Sequence, residues 1–383
     1  MKKILTLAVF GGLLAASTLQ AQVQIYICGS TAFRSNAYRA IRSMFDGGAP
    51  TYQNTLGSAN NSGAGQMTFQ GNISSLFPGQ SVTIYCDWTG SVQGVHSLTA
   101  SPGDSLPFLA NATPQGDTTI ANHTADLAFS DVFQLSTGFS TPELLDEQVA
   151  VQPFVWVRSA SCPSTVNNIT MQQLRFALQG SCPLSFITGN SSEYGSTLYF
   201  TGRNKDSGSR VIAVSDCAYV GGYNVYYISN STWMKMTTNQ IVNGVIYGAG
   251  FSSGSQEAAN LALTSTSGGL GYLGYADARN AVGAGAQIIT YNGGLPFNGW
   301  TGSTNGFNSP DWSPVTSGKY SLWGPEHLYI NPSGGNYANA YPVYTNLATY
   351  VDLDIANTTP VTAIRISQMG NTSRSADGGK ISP

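Results

Sequence analysis

Apolar positions follow two alternating rhythms along this chain. Runs such as Val23 to Ile27, Val82 to Cys86, Val149 to Val157, Thr197 to Thr201 and Val245 to Tyr247 read as strands, with the second and third buried on both faces. Ala37 to Phe45, Thr170 to Gln179 and Gln256 to Leu263 carry the spacing of amphipathic helices. Strands and helices taking turns predict an α/β fold. Between them lie Asn-, Gly- and Ser-rich stretches, 47–65 and 102–124, and a Gly-, Trp- and Asn-rich one, 283–318. Their apolar residues are too irregularly spaced to predict a core, so they read as surface excursions. No internal repeat interrupts this order.

The first residues predict an address. Lys2 and Lys3 precede an apolar run from Ile4 to Ala16, and a short polar stretch ends in the small residue Ala21. That is the form of a secretory signal peptide over 1–21, cleaved after Ala21. The run is too short for the ~20 residues a membrane-spanning helix needs. A periplasmic or secreted protein is expected.

Composition narrows the class further. The sequence has 383 residues, enough for two domains with substantial cores. Only 9% of them are charged, and the formal net charge is −3, so neither nucleic-acid binding nor long-range steering of an anion is expected. Five cysteines, Cys28, Cys86, Cys162, Cys182 and Cys217, leave at least one without a partner in a monomer. A disulfide between Cys162 and Cys182 and a set of five buried thiols are both open readings. The three histidines are isolated and no C-x-x-C occurs, so neither a metal nor another cofactor is expected.

Four separated segments suit the walls of an oxyanion pocket: Gly29 to Phe33, Thr89 to Ser91, Phe129 to Asp131, and Arg203 with Ser207, Gly208 and Ser209. The first joins a strand to a helix beginning near Arg34, which aims free N–H groups and the helix dipole at one spot. Arg203 supplies a planar fork that matches two oxygens of a tetrahedral anion. Asp131 fits only an anion that still carries a proton, because an ionised carboxylate accepts hydrogen bonds and cannot donate them. Phosphate has such a proton and sulfate does not. Taken singly, Asp131 reads equally well as a helix cap and Ser91 as a turn residue. Tyr272 and Tyr275 read as packing residues.

In order and spacing these segments resemble the substrate-binding proteins of phosphate ABC importers, which have the type II periplasmic-binding-protein-like fold. The family's first-turn threonine and phenylalanine match Ala32-Phe33, or Thr31 after a shift of one residue. Its G-S and S-D pairs match Gly90-Ser91 and Ser130-Asp131, and its R-x-x-x-S-G-T matches Arg203 to Ser209, with Ser209 in place of the last threonine. Gln148 to Arg158 resembles its crossover strand, Gly268 to Tyr275 its G-x-I-G-Y-x-x-Y, and Tyr341 to Tyr344 its late return strand. The resemblance implies two lobes, 22–150 with 292–383 and 151–291, joined by hinge strands. It implies a monomer without enzymatic activity that binds inorganic phosphate through Thr31, Ala32, Phe33, Ser91, Asp131, Arg203, Ser207, Gly208 and Ser209, and an ABC importer as partner. The insertions and the scarcity of lysine are unlike the family.

One rival comes from the residues themselves. Gly250-Phe251-Ser252-Ser253-Gly254 satisfies G-x-S-x-G between a strand and a helix, and Asp277 and His327 follow in the order of an α/β-hydrolase triad. A secreted serine hydrolase using Ser252, Asp277 and His327 is the alternative. No H-G-G-G-like oxyanion loop precedes the serine.

Overall fold

Strand-forming runs along the chain combine into one mixed sheet of twelve strands. They are β1 (Val23–Gly29), β2 (Thr51–Asn54), β3 (Gln66–Asn72), β4 (Ser81–Asp87), β5 (Leu127–Ser130), β6 (Leu145–Arg158), β7 (Asn168–Ile169), β8 (Cys182–Pro183), β9 (Thr197–Phe200), β10 (Gly268–Gly274), β11 (Gln287–Tyr291) and β12 (Trp323–Ile330). The computed structural model describes residues 22–48, 50–55, 61–100, 105–112, 118–178, 181–237, 240–242, 245–247 and 249–382. The signal peptide expected over 1–21 lies outside these residues, as does Gln179 at the end of one expected helix.

The helices that matter most are α1 (Arg34–Met44), α2 (Ser91–Thr99), α3 (Met171–Ala177), α4 (Gly208–Asp216), α5 (Gly254–Leu261), α6 (Tyr275–Gly283) and α7 (Tyr337–Asn357). In α1 the buried residues Ala37, Ala40, Ile41 and Met44 recur three and four apart, which turns one face into the core. Helix α3 begins where Thr170 and Gln173 form a reciprocal capping box.

Strand β6 organises the molecule. Leu145 to Pro153 pair with β12, while Phe154 to Arg158 pair with β10 and, in part, β11. A 14-residue strand thus runs through two hydrophobic cores. The first core gathers β1, β3, β4, α1, α7 and the end of β12, with a smaller cluster under α2. The second gathers β9, β10, α4, α5, α6 and the apolar residues from Val151 to Trp323. The molecule is therefore an α/β protein of two lobes. The chain passes between them along β6 and again just before β12, where Phe154 N donates to Leu322 O at 3.0 Å.

Several expectations change here. Tyr341 to Tyr344 form no strand: they lie in α7, with Pro342 inside the helix, and the antiparallel return is made by β12. The stretch 283–318 is no surface excursion. Phe297, Phe307, Trp312 and Val315 are buried in the second core, where three of these aromatic rings surround Tyr275. Irregular spacing hid them, because aromatics in a loop bury area without any periodicity. We accordingly place the return to the first lobe at Leu322 to Gly324 instead of near 292. Leu106, Phe108 and Leu109, in the second polar stretch, are buried as well. All five cysteines are buried, and Cys162 and Cys182 are separate thiols that form no disulfide.

A third connection runs over the hinge. After α7 the chain reaches β6, where Val151 and Ile364 exchange backbone hydrogen bonds at 2.8 and 2.9 Å. Arg374 then donates to Ser321 O at 2.7 Å and Trp323 O at 2.9 Å, and its guanidinium lies 4.1 Å above the Trp323 ring. Asp377 accepts from Phe133 N in the first lobe at 3.0 Å, and Ile381 packs on the second core.

Candidate functional site

Three parallel strands, in the order β4, β1, β5, end together in the first lobe. The chain leaves β1 through α1, which packs on one face of the sheet, and leaves β4 through α2, which packs on the other. Strand order reverses at β1, and the crevice at such a reversal is where open α/β sheets bind ligands. Gly29 to Phe33, Thr89 to Ser91 and Ser130 to Asp131 are the carboxyl ends of these strands. They are tied together: Ser30 N donates to Phe129 O and Gly90 N to Gly29 O, both at 2.9 Å. Gly29, at φ +113°, allows that approach, since a Cβ there would lie 1.9 Å from Phe129 O.

The second lobe presents its own carboxyl ends to the same crevice. Strands β9 and β10 are parallel, and Arg203 lies just beyond β9, after Thr201 and Gly202. The turn Asn204 to Ser207 leads into α4, so Gly208 and Ser209 occupy its first turn. Helices α1, α2 and α4 consequently begin around one point, and their dipoles favour a negative charge there.

Contacts across the crevice show the lobes closed on each other. Arg203 is only 2% exposed. Its Nη2 donates to Thr31 Oγ1 at 3.0 Å and to Ser252 O at 2.8 Å, its Nη1 to Ser209 Oγ at 3.3 Å, and its Nε to Phe251 O at 3.0 Å. Tyr272 fixes the backbone of this arginine, accepting from Arg203 N at 3.0 Å, while its hydroxyl pairs with that of Tyr223 at 2.6 Å. Ser207 and Ser209 hydroxyls lie 2.8 Å apart. Opposite them, Ser91 Oγ donates to Asp131 Oδ1 at 2.5 Å. Gly208 faces this pair so closely that a Cβ on it would stand 1.6 Å from Asp131 Oδ1.

Each residue singled out from the sequence now has a place. Thr31, Ser91, Asp131, Arg203, Ser207, Gly208 and Ser209 surround one closed point. Ala32 faces Gly274, whose added Cβ would lie 3.4 Å from that of Ala32. Phe33 turns its ring into the first core beside Phe129, so it can serve the crevice through its backbone. Asp131 caps no helix: the short helix beyond it has Phe133 at its cap position.

Four carboxyl groups border the site, and burial is the main influence on all of them. It raises Asp131 to about 6, against the opposing pull of Ser91 and Arg203. It raises Glu257 to about 8, again against Arg203. Glu326 is held well above its usual range and Asp277 is also raised, both first by burial. Near neutral pH Asp131 is thus largely the ionised acceptor, whereas Glu257 is largely protonated.

The hydrolase constellation does not assemble. Ser252 Oγ donates to Gln256 Oε1 at 2.7 Å, and its carbonyl is taken by Arg203. His327 lies in β12, where Asp146 pairs with its Nδ1 at 2.7 Å and the rings of Phe133 and Tyr329 enclose it. Asp277, on α6, sits beside Gly254 and the two arginines Arg34 and Arg203. Among the described residues no cluster of His, Cys, Asp and Glu could hold a metal ion.

Sequence reasoning passed over Arg34, Ser255, Glu257 and Glu326. One signal was available for Arg34, a basic residue in the first turn of a helix that has no acidic residue there, which is the unfavourable end of the dipole.

No family model matches the chain, and no curated protein matches it. Among solved structures it is similar to a putative phosphate ABC transporter substrate-binding protein with bound phosphate from Clostridium perfringens. Identity there is 8% over 90% of this chain and 99% of that one, with a TM-score of 0.49. It is similar to an ABC-type phosphate transport receptor from Vibrio cholerae, at 13% identity over 85% and 98% of the chains and a TM-score of 0.42. It is also similar to the OxyR2 regulatory domain of Vibrio vulnificus, at 10% identity over 87% and 94% and a TM-score of 0.37. Likeness at this level assigns neither family nor ligand.

Proposed function

We propose that this protein is an exported binding protein that captures inorganic phosphate between its two lobes and releases it unaltered, with an ABC-type importer as the receiving partner. Thr31, Ala32, Phe33, Ser91 and Asp131 form one wall of the pocket, and Arg203, Ser207, Gly208 and Ser209 form the other. The protein acts as a monomer in the periplasm or outside the cell, after cleavage at Ala21.

The observation that carries this reading is the pairing of opposites at one buried point. A guanidinium, several hydroxyls and the starts of three helices all favour an anion, yet Asp131 stands among them 2% exposed. An anion held by all of these groups must bring a proton for the carboxylate. Monohydrogen and dihydrogen phosphate do, whereas sulfate would meet Asp131 with like charge and lone pair against lone pair.

Calorimetric titration of the ligand-stripped protein with phosphate, sulfate and molybdate tests the proposal. Phosphate is expected to bind and sulfate to be rejected. In Asp131→Asn, which supplies a donor of the same size, sulfate should gain and the preference should narrow. Equal binding of phosphate and sulfate by the parent, or an unchanged ratio in the variant, would remove the chemical basis of the assignment.

A further inference from the structure

Arg34 reaches across the same crevice to Ser255 in three unfavourable settings at once. It is 8% exposed. It occupies the first turn of α1, at the positive end of that helix's dipole. It is also close enough to Arg203 for the two charges to repel, and burial acts in the same direction on its guanidinium, with Asp277 alone opposing them. Nη2 donates to Ser255 Oγ in the other lobe at 3.0 Å, and no carboxylate among the described residues forms an ion pair with it. A latch between lobes would gain more from a carboxylate than from a neutral hydroxyl, because a buried charge needs an opposite charge to offset its lost hydration. Arg34 and Ser255 thus mirror Arg203 and Thr31: each lobe sends one arginine to a hydroxyl of the other.

We propose that Arg34 is the second cation of the anion site and that it makes the site select the doubly charged form of its ligand, monohydrogen phosphate. This rests on the phosphate reading above. The charged and titratable groups facing Arg34 are Arg203, from the turn before α4, and Asp277, from α6. Asp131 and Glu257 complete the surroundings of Arg203. With Glu257 largely protonated near neutral pH, two guanidiniums face Asp131 and Asp277, whose carboxyls burial disfavours as anions. A second guanidinium attracts a doubly charged ligand about twice as strongly as a singly charged one, and the one proton that ligand retains is the one Asp131 can accept.

Calorimetry of the full chain with inorganic phosphate, above and below the second ionisation of phosphate, tests this in the parent, in Arg34→Gln and in Arg34→Lys. The parent should bind more tightly as phosphate acquires its second charge. Arg34→Gln should bind on the order of 10-fold or more weakly above that ionisation and lose most of the pH dependence. Arg34→Lys keeps the charge without the fork, so it should retain the pH dependence at reduced affinity, and it carries the test if the glutamine variant does not fold. Protonation of Asp131 is common to all three proteins, so the ratio of parent to variant isolates Arg34. Arg34→Gln with parental affinity or parental pH dependence would overturn the inference, as would Arg34→Lys without the pH dependence. A parent that binds no phosphate at all would overturn the reading beneath it instead.

Discussion

Arg203 and Thr31 are 172 positions apart in sequence, and Nη2 of one donates to Oγ1 of the other at 3.0 Å. This bond joins the two lobes at the point where three helices begin. It spans the crevice between the lobes, so under the proposed function lobe closure and ligand capture would depend on the same guanidinium. Alanine at Arg203 should weaken phosphate binding by about 2 to 5 kcal/mol, because the anion loses a buried counter-charge together with its fork. Titration calorimetry reads this directly, and parental affinity would place the pocket elsewhere.

Gly208 permits closure by having no side chain. An added Cβ would stand 1.6 Å from Asp131 Oδ1 and 2.8 Å from Ser91 Cβ, both in the opposite lobe. Gly208→Ala should therefore hold the lobes apart while leaving each core intact. The expected result is a larger radius of gyration by small-angle scattering, phosphate affinity lowered about 10-fold or more, and little change in the melting temperature without ligand. Normal closure in this variant would show that the lobes meet differently in solution.

Glu257 makes stability depend on pH. Burial raises its carboxyl from 4.5 to about 8, so between those values the folded protein holds a proton that the unfolded chain has released. A raised carboxyl stabilises the fold at low pH and progressively less as pH rises through that interval. Glu257→Gln should remove this slope, which amounts to a few kcal/mol across the window. Denaturant titrations of parent and variant at several pH values would check it, and parallel pH profiles would show that Glu257 is not the group responsible.

Arg374 should govern how widely the lobes open. Alanine there removes hydrogen bonds to Ser321 O and Trp323 O and the stacking on Trp323. The cost is about 1 to 3 kcal/mol of stability, and the ligand-free radius of gyration should grow while the phosphate-bound one does not. Identical scattering from parent and variant, with and without phosphate, would exclude a hold on the hinge.

The parts of this architecture legible in the sequence are those that local chemistry dictates. β4 was readable because a strand buried on both faces is mostly apolar, β1 because Val23, Ile25 and Ile27 are buried at alternate positions, and α1 because Ala37, Ala40, Ile41 and Met44 repeat every three or four positions. Glycines and hydroxyls at strand ends pointed to the crevice for an equally local reason. What could not be read depends on the second lobe covering the first. Arg34 looks like a solvated charge until Ser255, 221 positions away, closes over it. Phe297, Phe307 and Trp312 look like loop residues until Tyr275 brings them together. Pro342 disguised the start of α7, since proline ordinarily marks a break and here lies in the second turn of a 21-residue helix.

The segment 364–382 has a thermodynamic consequence that its contacts do not announce. Two connections between lobes leave a broad ensemble of open arrangements, and every one of them must be surrendered when an anion is enclosed. A third tie, from Val151 through Trp323 to Phe133, narrows that ensemble before any ligand arrives. If the protein captures an anion as proposed, capture forfeits less conformational entropy, and part of the affinity originates in what the ligand-free protein has already lost rather than in any bond to the anion.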